Sequence, residues 1–173
     1  MTKENEIEIV IPTVWSDVSL GEFVELSKLD INSFTSPIEY YIEVLKVFGN
    51  DLTNIVDFIK FGDVTNIITQ MSFLGTQPQQ RDIKEVKIKK VNYKLIENMN
   101  ELSVGEYVSI ETLIEQGNLN SITAIPAILS VILRPEGEDF DANKCNARME
   151  LFKSELSIEE VLKMSVFFST GVR

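Results

Sequence analysis

The chain has no histidine and only one cysteine, Cys145, among its 173 residues. Without histidine, the Ser-His and Cys-His nucleophile pairs are missing, along with the commonest zinc ligand. One cysteine cannot form an internal disulfide or a thiolate zinc site, and such sparing use of thiols fits a reducing compartment. Basic side chains are scarce: 16 Lys and Arg stand against 27 Asp and Glu, a formal net charge of −11. Residues 1–82 carry most of the imbalance, with 5 basic and 13 acidic side chains. A chain this acidic, with no basic stripe, should be repelled by nucleic acid and by anionic membranes, so neither is an expected partner. Long apolar runs are also lacking. Nothing approaches a membrane span, and the polar, acidic start Met1-Thr2-Lys3-Glu4-Asn5-Glu6 does not read as a secretory signal. No glycine-rich phosphate loop or dinucleotide fingerprint occurs, and no cofactor is expected.

What is present is a globular composition, 44% apolar and 25% charged, enough to bury a core. Its most informative feature is a phrase that occurs twice. Asp17-Val18-Ser19-Leu20-Gly21-Glu22-Phe23-Val24 returns as Glu101-Leu102-Ser103-Val104-Gly105-Glu106-Tyr107-Val108, at a constant offset of 84 residues. Each copy sets a Ser three residues before a Glu, the spacing of a capping box, in which Ser oxygen and Glu carboxylate each take a free backbone N–H. An apolar residue before each cap, Val18 or Leu102, can staple onto the aromatic five residues on, Phe23 or Tyr107. The phrase therefore predicts two helix starts, and its recurrence points to an internal duplication. Ser157-Ile158-Glu159-Glu160 is a further capping box, with Leu156 and Val161 as its staple.

The expected fold is mainly α with a small antiparallel β-sheet (α+β). Residues 6–11 alternate with Ile7, Ile9 and Ile11 on one side and read as a strand ended by Pro12. A capped helix follows at about 20–29. Ser36-Pro37-Ile38-Glu39 opens the next, with Tyr41, Val44, Leu45 and Phe48 at helical spacing and Gly49 as its stop. Residues 51–61 and 64–73 suggest two short helices parted by Gly62, with Asp51 and Asp63 as caps. Gly75-Thr76-Gln77-Pro78-Gln79-Gln80 is rich in breakers. It divides the chain into 1–74, a linker at 75–82, and 83–173, either as two subdomains or as one body. Val86-Lys87-Ile88 and Tyr93-Lys94-Leu95 flank residues 89–92 as a hairpin, which strand 6–11 would join. Helices are expected at 104–116, 123–133, 144–153 and 157–167, with a loop at 134–139.

Candidate chemistry is sparse. Asp139, Asp141, Asn143 and Glu150 match positions 1, 3, 5 and 12 of a calcium loop, but Lys144 replaces the glycine of the sharp turn. A solvated acidic loop is the preferred reading, with no metal site. The carboxylate pairs Glu159-Glu160 and Glu136/Glu138 have no spacing that gathers them into one pocket. Cys145 has no histidine to activate it, and a passive thiol is expected. No catalytic residue is assigned. Aromatic anchors for a partner chain are Phe34 in a polar turn, Phe140 in the acidic loop 135–143, and the pair Phe167-Phe168 near the C-terminus.

Ile11-Pro12, Trp15, Ser19-Leu20 and Phe23 follow a pattern of short β segment, Pro, Trp and Ser/Thr-Leu-x-x-Phe/Tyr helix start. In this the chain resembles a family of small virion and tail-assembly proteins of tailed bacteriophages. The hairpin end Tyr93-Lys94-Leu95 followed by Leu102-Ser103-Val104-Gly105-Glu106-Tyr107 is similar. The resemblance covers a minority of the chain and carries no catalytic residue. It implies a non-enzymatic structural or chaperone-like protein in the host cytoplasm or the virion. Its partners would be other phage structural proteins or further copies of itself. The alternative from charge is an acidic nucleic-acid mimic that inhibits a host DNA-binding or defence protein.

Overall fold

The computed structural model describes residues 11–49, 60–76, 83–117, 120 and 122–164. Local chemistry accounts for where its helices begin. Ser19 Oγ accepts the Glu22 N–H at 3.2 Å, and Glu22 accepts the Ser19 N–H at 2.7 Å, which opens α1 (Leu20–Leu26). α2 (Pro37–Val47) begins with Ser36 accepting the Glu39 N–H at 3.3 Å and with Pro37 in the first turn, where a missing N–H leaves no bond unmade. Gly49, at φ 79°, takes the left-handed conformation that ends such helices. Val44, Leu45 and Phe48 are buried, as the spacing predicts, and Tyr41 is partly so.

α3 (Phe61–Gln70) corrects the expected break at Gly62. The helix starts before that glycine, and Asp63 stands in its first turn rather than at the cap. There the carboxylate still faces the positive end of the helix, so the residue favours a start placed slightly earlier. A 3-10 turn, Met71–Gly75, follows. The other expected helix, 51–61, lies outside the described residues except at its end.

β1 (Glu85–Ile88) and β2 (Val91–Leu95) form the hairpin, in register from Glu85↔Lys94 to Ile88↔Val91. Its link is two residues rather than four. Lys89 and Lys90 both have positive φ, 46° and 73°, the backbone that matches the twist of a tight hairpin. Val86, Ile88, Tyr93 and Leu95 are buried. A third strand, β3 (Leu133–Pro135), pairs Leu133 with Leu95 and Pro135 with Tyr93, giving the antiparallel order β1-β2-β3. This overturns part of the expected loop at 134–139, because Arg134 and Pro135 are strand. Pro135 is tolerated at the end of an edge strand, where no ladder donor is required. Of the expected strand 6–11, only Ile11 is described, and it belongs to no strand.

The second part of the chain supplies α4 (Val104–Gly117), α5 (Ile125–Ile132), α6 (Cys145–Glu155) and α7 (Ile158–Lys163). α5 lies between α4 and α6 and is buried along most of its length, through Ala127, Leu129, Val131 and Ile132. Phe152 of α6 is fully buried and meets Tyr93 of β2 edge-on at 5.4 Å, which fixes the helices to the sheet. One hydrophobic cluster runs from Val18 to Met164. The fold is thus mainly helical with a small antiparallel sheet.

Trp15 explains the Pro-Trp-Ser pattern structurally. Its Nε1 donates to the Thr76 carbonyl at 3.0 Å, and its ring meets Phe23 and Phe73 edge-on at 6.1 and 5.3 Å. The start of α1 is therefore held to the turn after α3. A further attachment is an antiparallel bridge between Ser19 and Ser157. Leu20 N–H donates to the Leu156 carbonyl at 2.7 Å, and Ile158 N–H to the Val18 carbonyl at 2.8 Å. Ser157 and Glu160 close their own capping box. The capped starts at Ser19 and Ser157 are thus joined, and among the described residues the start at Ser103 pairs with neither.

Candidate interaction surface

The start of α4 repeats the local bonds of α1 in different surroundings. Ser103 N–H donates to Glu106 Oε2 at 2.6 Å, and Glu106 N–H to Ser103 Oγ at 3.3 Å. Unlike Glu22, Glu106 is buried. Its other oxygen meets Arg134 Nη1 from β3 at 2.8 Å. Burial would push the Glu106 carboxyl up. The backbone and hydroxyl of Ser103 together with the Arg134 guanidinium outweigh it and hold the group below the ordinary carboxylate value. Arg134 also lies over the Phe140 ring, 6.0 Å from its centre. One arginine therefore ties helix, sheet and loop together.

That ion pair lies on the side of α4 that faces the core. Glu106 and Ile110 are buried, with Leu113 and Ile114 packed against the core. At about 100° per residue the opposite side carries Val104, Tyr107, Val108, Glu111, Thr112 and Glu115. Val104 is 81% exposed, and Tyr107 and Val108 are each 49% exposed. The helix is therefore apolar on two sides and covered on one. Glu111 lies beside the Tyr107 hydroxyl, and the hydrogen bond to that carboxylate, with its negative charge, raises the phenol above its usual value. The exposed face is apolar over its first two turns and acidic beyond them.

The contrast with α1 is residue for residue. Leu20 and Val24 stand where Val104 and Val108 stand in the phrase, and both are buried. Gly21 is in close contact: a Cβ there would come within 3.0 Å of the Lys153 carbonyl oxygen and 3.3 Å of Lys153 Cβ. A Cβ on Gly105 would meet only Ser103 Oγ, at 3.9 Å. The recurring glycine thus has a packing reason in the first copy that is absent in the second.

Of the anchors expected from sequence, Phe34 is half-buried and packs edge-on against Tyr40, 5.7 Å between ring centres, with Tyr41 a further 5.3 Å on. Phe140 is half-buried beneath Arg134. Phe167 and Phe168 lie outside the described residues. The structure does not bring Phe34 and Phe140 into one aromatic contact. Their neighbours are intramolecular, whereas the α4 stripe faces solvent. Sequence reading missed this stripe because Tyr107 was assigned to a staple. The available signal was Val104-x-x-Tyr107-Val108 alongside the inward set Ile110, Leu113 and Ile114, too many apolar positions for one face.

The remaining candidates are committed to structure. Asp141 Oδ1 accepts Asn143 N–H at 3.0 Å as a turn cap, and Glu150 pairs with Lys153 at 2.7 Å on α6. Among the described residues no cluster of three or more acidic or cysteine side chains is arranged to hold a metal ion. Glu138 pairs with Lys144 at 3.0 Å and with the buried Arg148, which also donates to the Ser130 carbonyl at 3.3 Å. The Lys144 hydrogen bond leads the effects that hold the Glu138 carboxyl below its usual range, burial opposing it. Glu160 caps α7 and Glu159 pairs with Lys163 at 2.7 Å, so that adjacent pair is divided between two tasks. Cys145 is buried, and burial pushes its thiol up, away from the reactive thiolate. A cleft of about 820 Å³ between α1, α4 and α6 is lined by Gly21, Val24, Leu113, Met149 and Lys153, and its Glu25 and Glu150 already hold lysines.

The chain matches no protein-family model, no curated protein and no solved structure. No helix among the described residues is long and apolar enough to cross a membrane.

Proposed function

We propose that this is a non-enzymatic protein of bacteriophage virions or tail assembly, working through protein–protein contacts. The observation that supports it best is the uncovered stripe Val104, Tyr107 and Val108 on α4. Scattered exposed apolar residues need no explanation, but three in helical register form an edge on which another chain can dock. The attribution to phage rests on the resemblance at the Pro-Trp-Ser start. Its net charge of −11 would keep such a protein off DNA during assembly.

The acidic-mimic reading draws less support. In residues 11–49, Asp17, Glu22, Asp30 and Glu39 each accept a nearby backbone N–H. Glu25 and Glu43 pair with Lys28 and Lys46 at 2.6 Å. Helix starts and neighbouring lysines explain these positions without a phosphate-like array.

The test is recovery of phage structural proteins with tagged protein from infected cells. Val108→Glu should lower recovery at least about tenfold while leaving the circular dichroism spectrum unchanged, because a charge is introduced into an apolar contact and not into the core. Equal recovery with the variant, or none with the parent chain, overturns the reading.

A further inference from the structure

Charge is spread unevenly over this acidic chain. Residues 84–94 hold five lysines and one glutamate, while the rest holds 11 basic and 26 acidic side chains. Those lysines belong to the β1–β2 hairpin. Lys84 pairs with Glu97 at 2.7 Å and Lys89 with Glu155 at 2.9 Å. Lys87, Lys90 and Lys94 are exposed and make no ion pair among the described residues. Every other described lysine except Lys60 holds a carboxylate. Glu85 stands opposite Lys94 in the register, which leaves the excess positive charge at Lys87 and the tip.

Backbone strain falls on the same element. The tip is Lys89-Lys90, and both residues take the left-handed conformation that costs a lysine more than a glycine or an asparagine. Two lysines held there against that cost point to a use for their charge. The sheet edge is also open. β1 is outermost in the order β1-β2-β3. Leu95 N–H donates to the Lys84 carbonyl at 2.8 Å, so alternation commits residues 84, 86 and 88 to β2 and turns the N–H and C=O of Glu85 and Lys87 outwards. Ile83 N–H, on the same edge, donates to the Lys163 carbonyl at 3.2 Å. Among the described residues the outward groups of Glu85 and Lys87 have no backbone partner.

We propose that β1 takes an extended acidic segment of a partner protein as an added strand. The segment's backbone pairs with Glu85 and Lys87, and its carboxylates meet Lys87 and Lys90. Lysines along an edge strand discourage neutral and basic strands, so an acidic one is the strand they admit. Nucleic acid fits less well. Its unbroken phosphate charge would meet Glu85 and Glu155 beside the lysines, whereas a polypeptide can place a carboxylate at each free lysine and none at Glu85. The net charge of −11 slows encounter without forbidding contact, because charges more than about 8 Å away are screened at physiological salt. This surface is separate from the α4 edge and does not depend on it.

Amide exchange and amide shifts of the full chain, followed by NMR at about 150 mM salt, test the proposal. In the free chain the Glu85 and Lys87 amides should exchange fast, as unbonded exposed backbone does. A peptide of about ten residues alternating glutamate and threonine should slow that exchange and shift residues 85–91, with a Kd of about 1 mM. Lys87→Glu should weaken it at least about fivefold. Lys60→Glu, the same charge change away from the hairpin, should leave it within about twofold. Lys90→Gly should raise the urea midpoint, because strain is relieved, and still weaken the peptide about threefold. Slow exchange of Glu85 and Lys87 in the free chain would mean that the chain itself covers the edge, and overturns the proposal. So do equal binding of a lysine–threonine peptide, tighter binding of an oligothymidylate of similar length, and equal weakening by Lys60→Glu and Lys87→Glu.

Discussion

Two stretches of this molecule share Ser-x-Gly-Glu and form the same capping box, yet they do different work. At Ser19 the helix start is surrounded: Leu20 and Val24 are buried, Gly21 touches α6, and Ser19 is bridged to Ser157. At Ser103 the start is held from beneath by one buried ion pair and is open above. A capping motif specifies where a helix begins and leaves open which side of it meets other elements. In the first copy hydrophobic packing supplies that orientation. In the second, Arg134 shares that role with Ile110, Leu113 and Ile114.

The largest expected effect breaks the second start. Arg134→Ala strands the buried Glu106 carboxylate and should cost about 3 kcal/mol or more, read by urea unfolding. Glu22→Ala, at the matched position of the first start, removes only a capping bond and should cost about 1 kcal/mol. Equal losses would mean that the ion pair contributes nothing beyond the cap. The glycines sharpen the contrast by sign. Gly21→Ala forces a Cβ against Lys153 and should destabilise by about 2 kcal/mol, whereas Gly105→Ala should stabilise by about 0.5 kcal/mol through higher helix propensity. Two changes of the same sign would show that the first helix relaxes away from α6.

The smallest effect is a pH dependence. Glu106 has a lowered pKa in the folded chain, so the stability it contributes is complete above its ordinary value of 4.5 and is lost as pH falls below that toward the folded value. Glu106→Gln should therefore be less stable than the parent near neutrality and show a shallower loss on acidification. Glu138, lowered in the same direction, leaves a residual slope in that variant. An unchanged slope would place the acid sensitivity elsewhere.

Much of the fold was legible because it is local. Ser19, Ser36, Ser103 and Ser157 announce their helices within four residues, and alternation in 85–95 announces a hairpin. What escaped the sequence depends on partners far along the chain or on unusual backbone. Lys89-Lys90 carries no Asn or Gly to mark its positive φ. Leu133–Pro135 is a strand only because Leu95 is there to pair with it. Phe140, expected as an anchor for a partner, lies under Arg134, a contact that no local pattern encodes. The exposed face of α4 follows from Glu106 pointing inward, where a glutamate on a surface helix ordinarily meets solvent.

The bridge between Ser19 and Ser157 has a consequence for how the chain is made. Its two halves stand near opposite ends of the sequence, so the contact is among the most non-local in the molecule. Synthesis delivers Val18 and Leu20 early and Leu156 and Ile158 late. Until residues 145–163 emerge from the ribosome, the first capped helix has its local hydrogen bonds and none of the cover supplied by α6 and α7. This contact can close only after Leu156 and Ile158 have been made, and until then Val18 and Leu20 lack their cover.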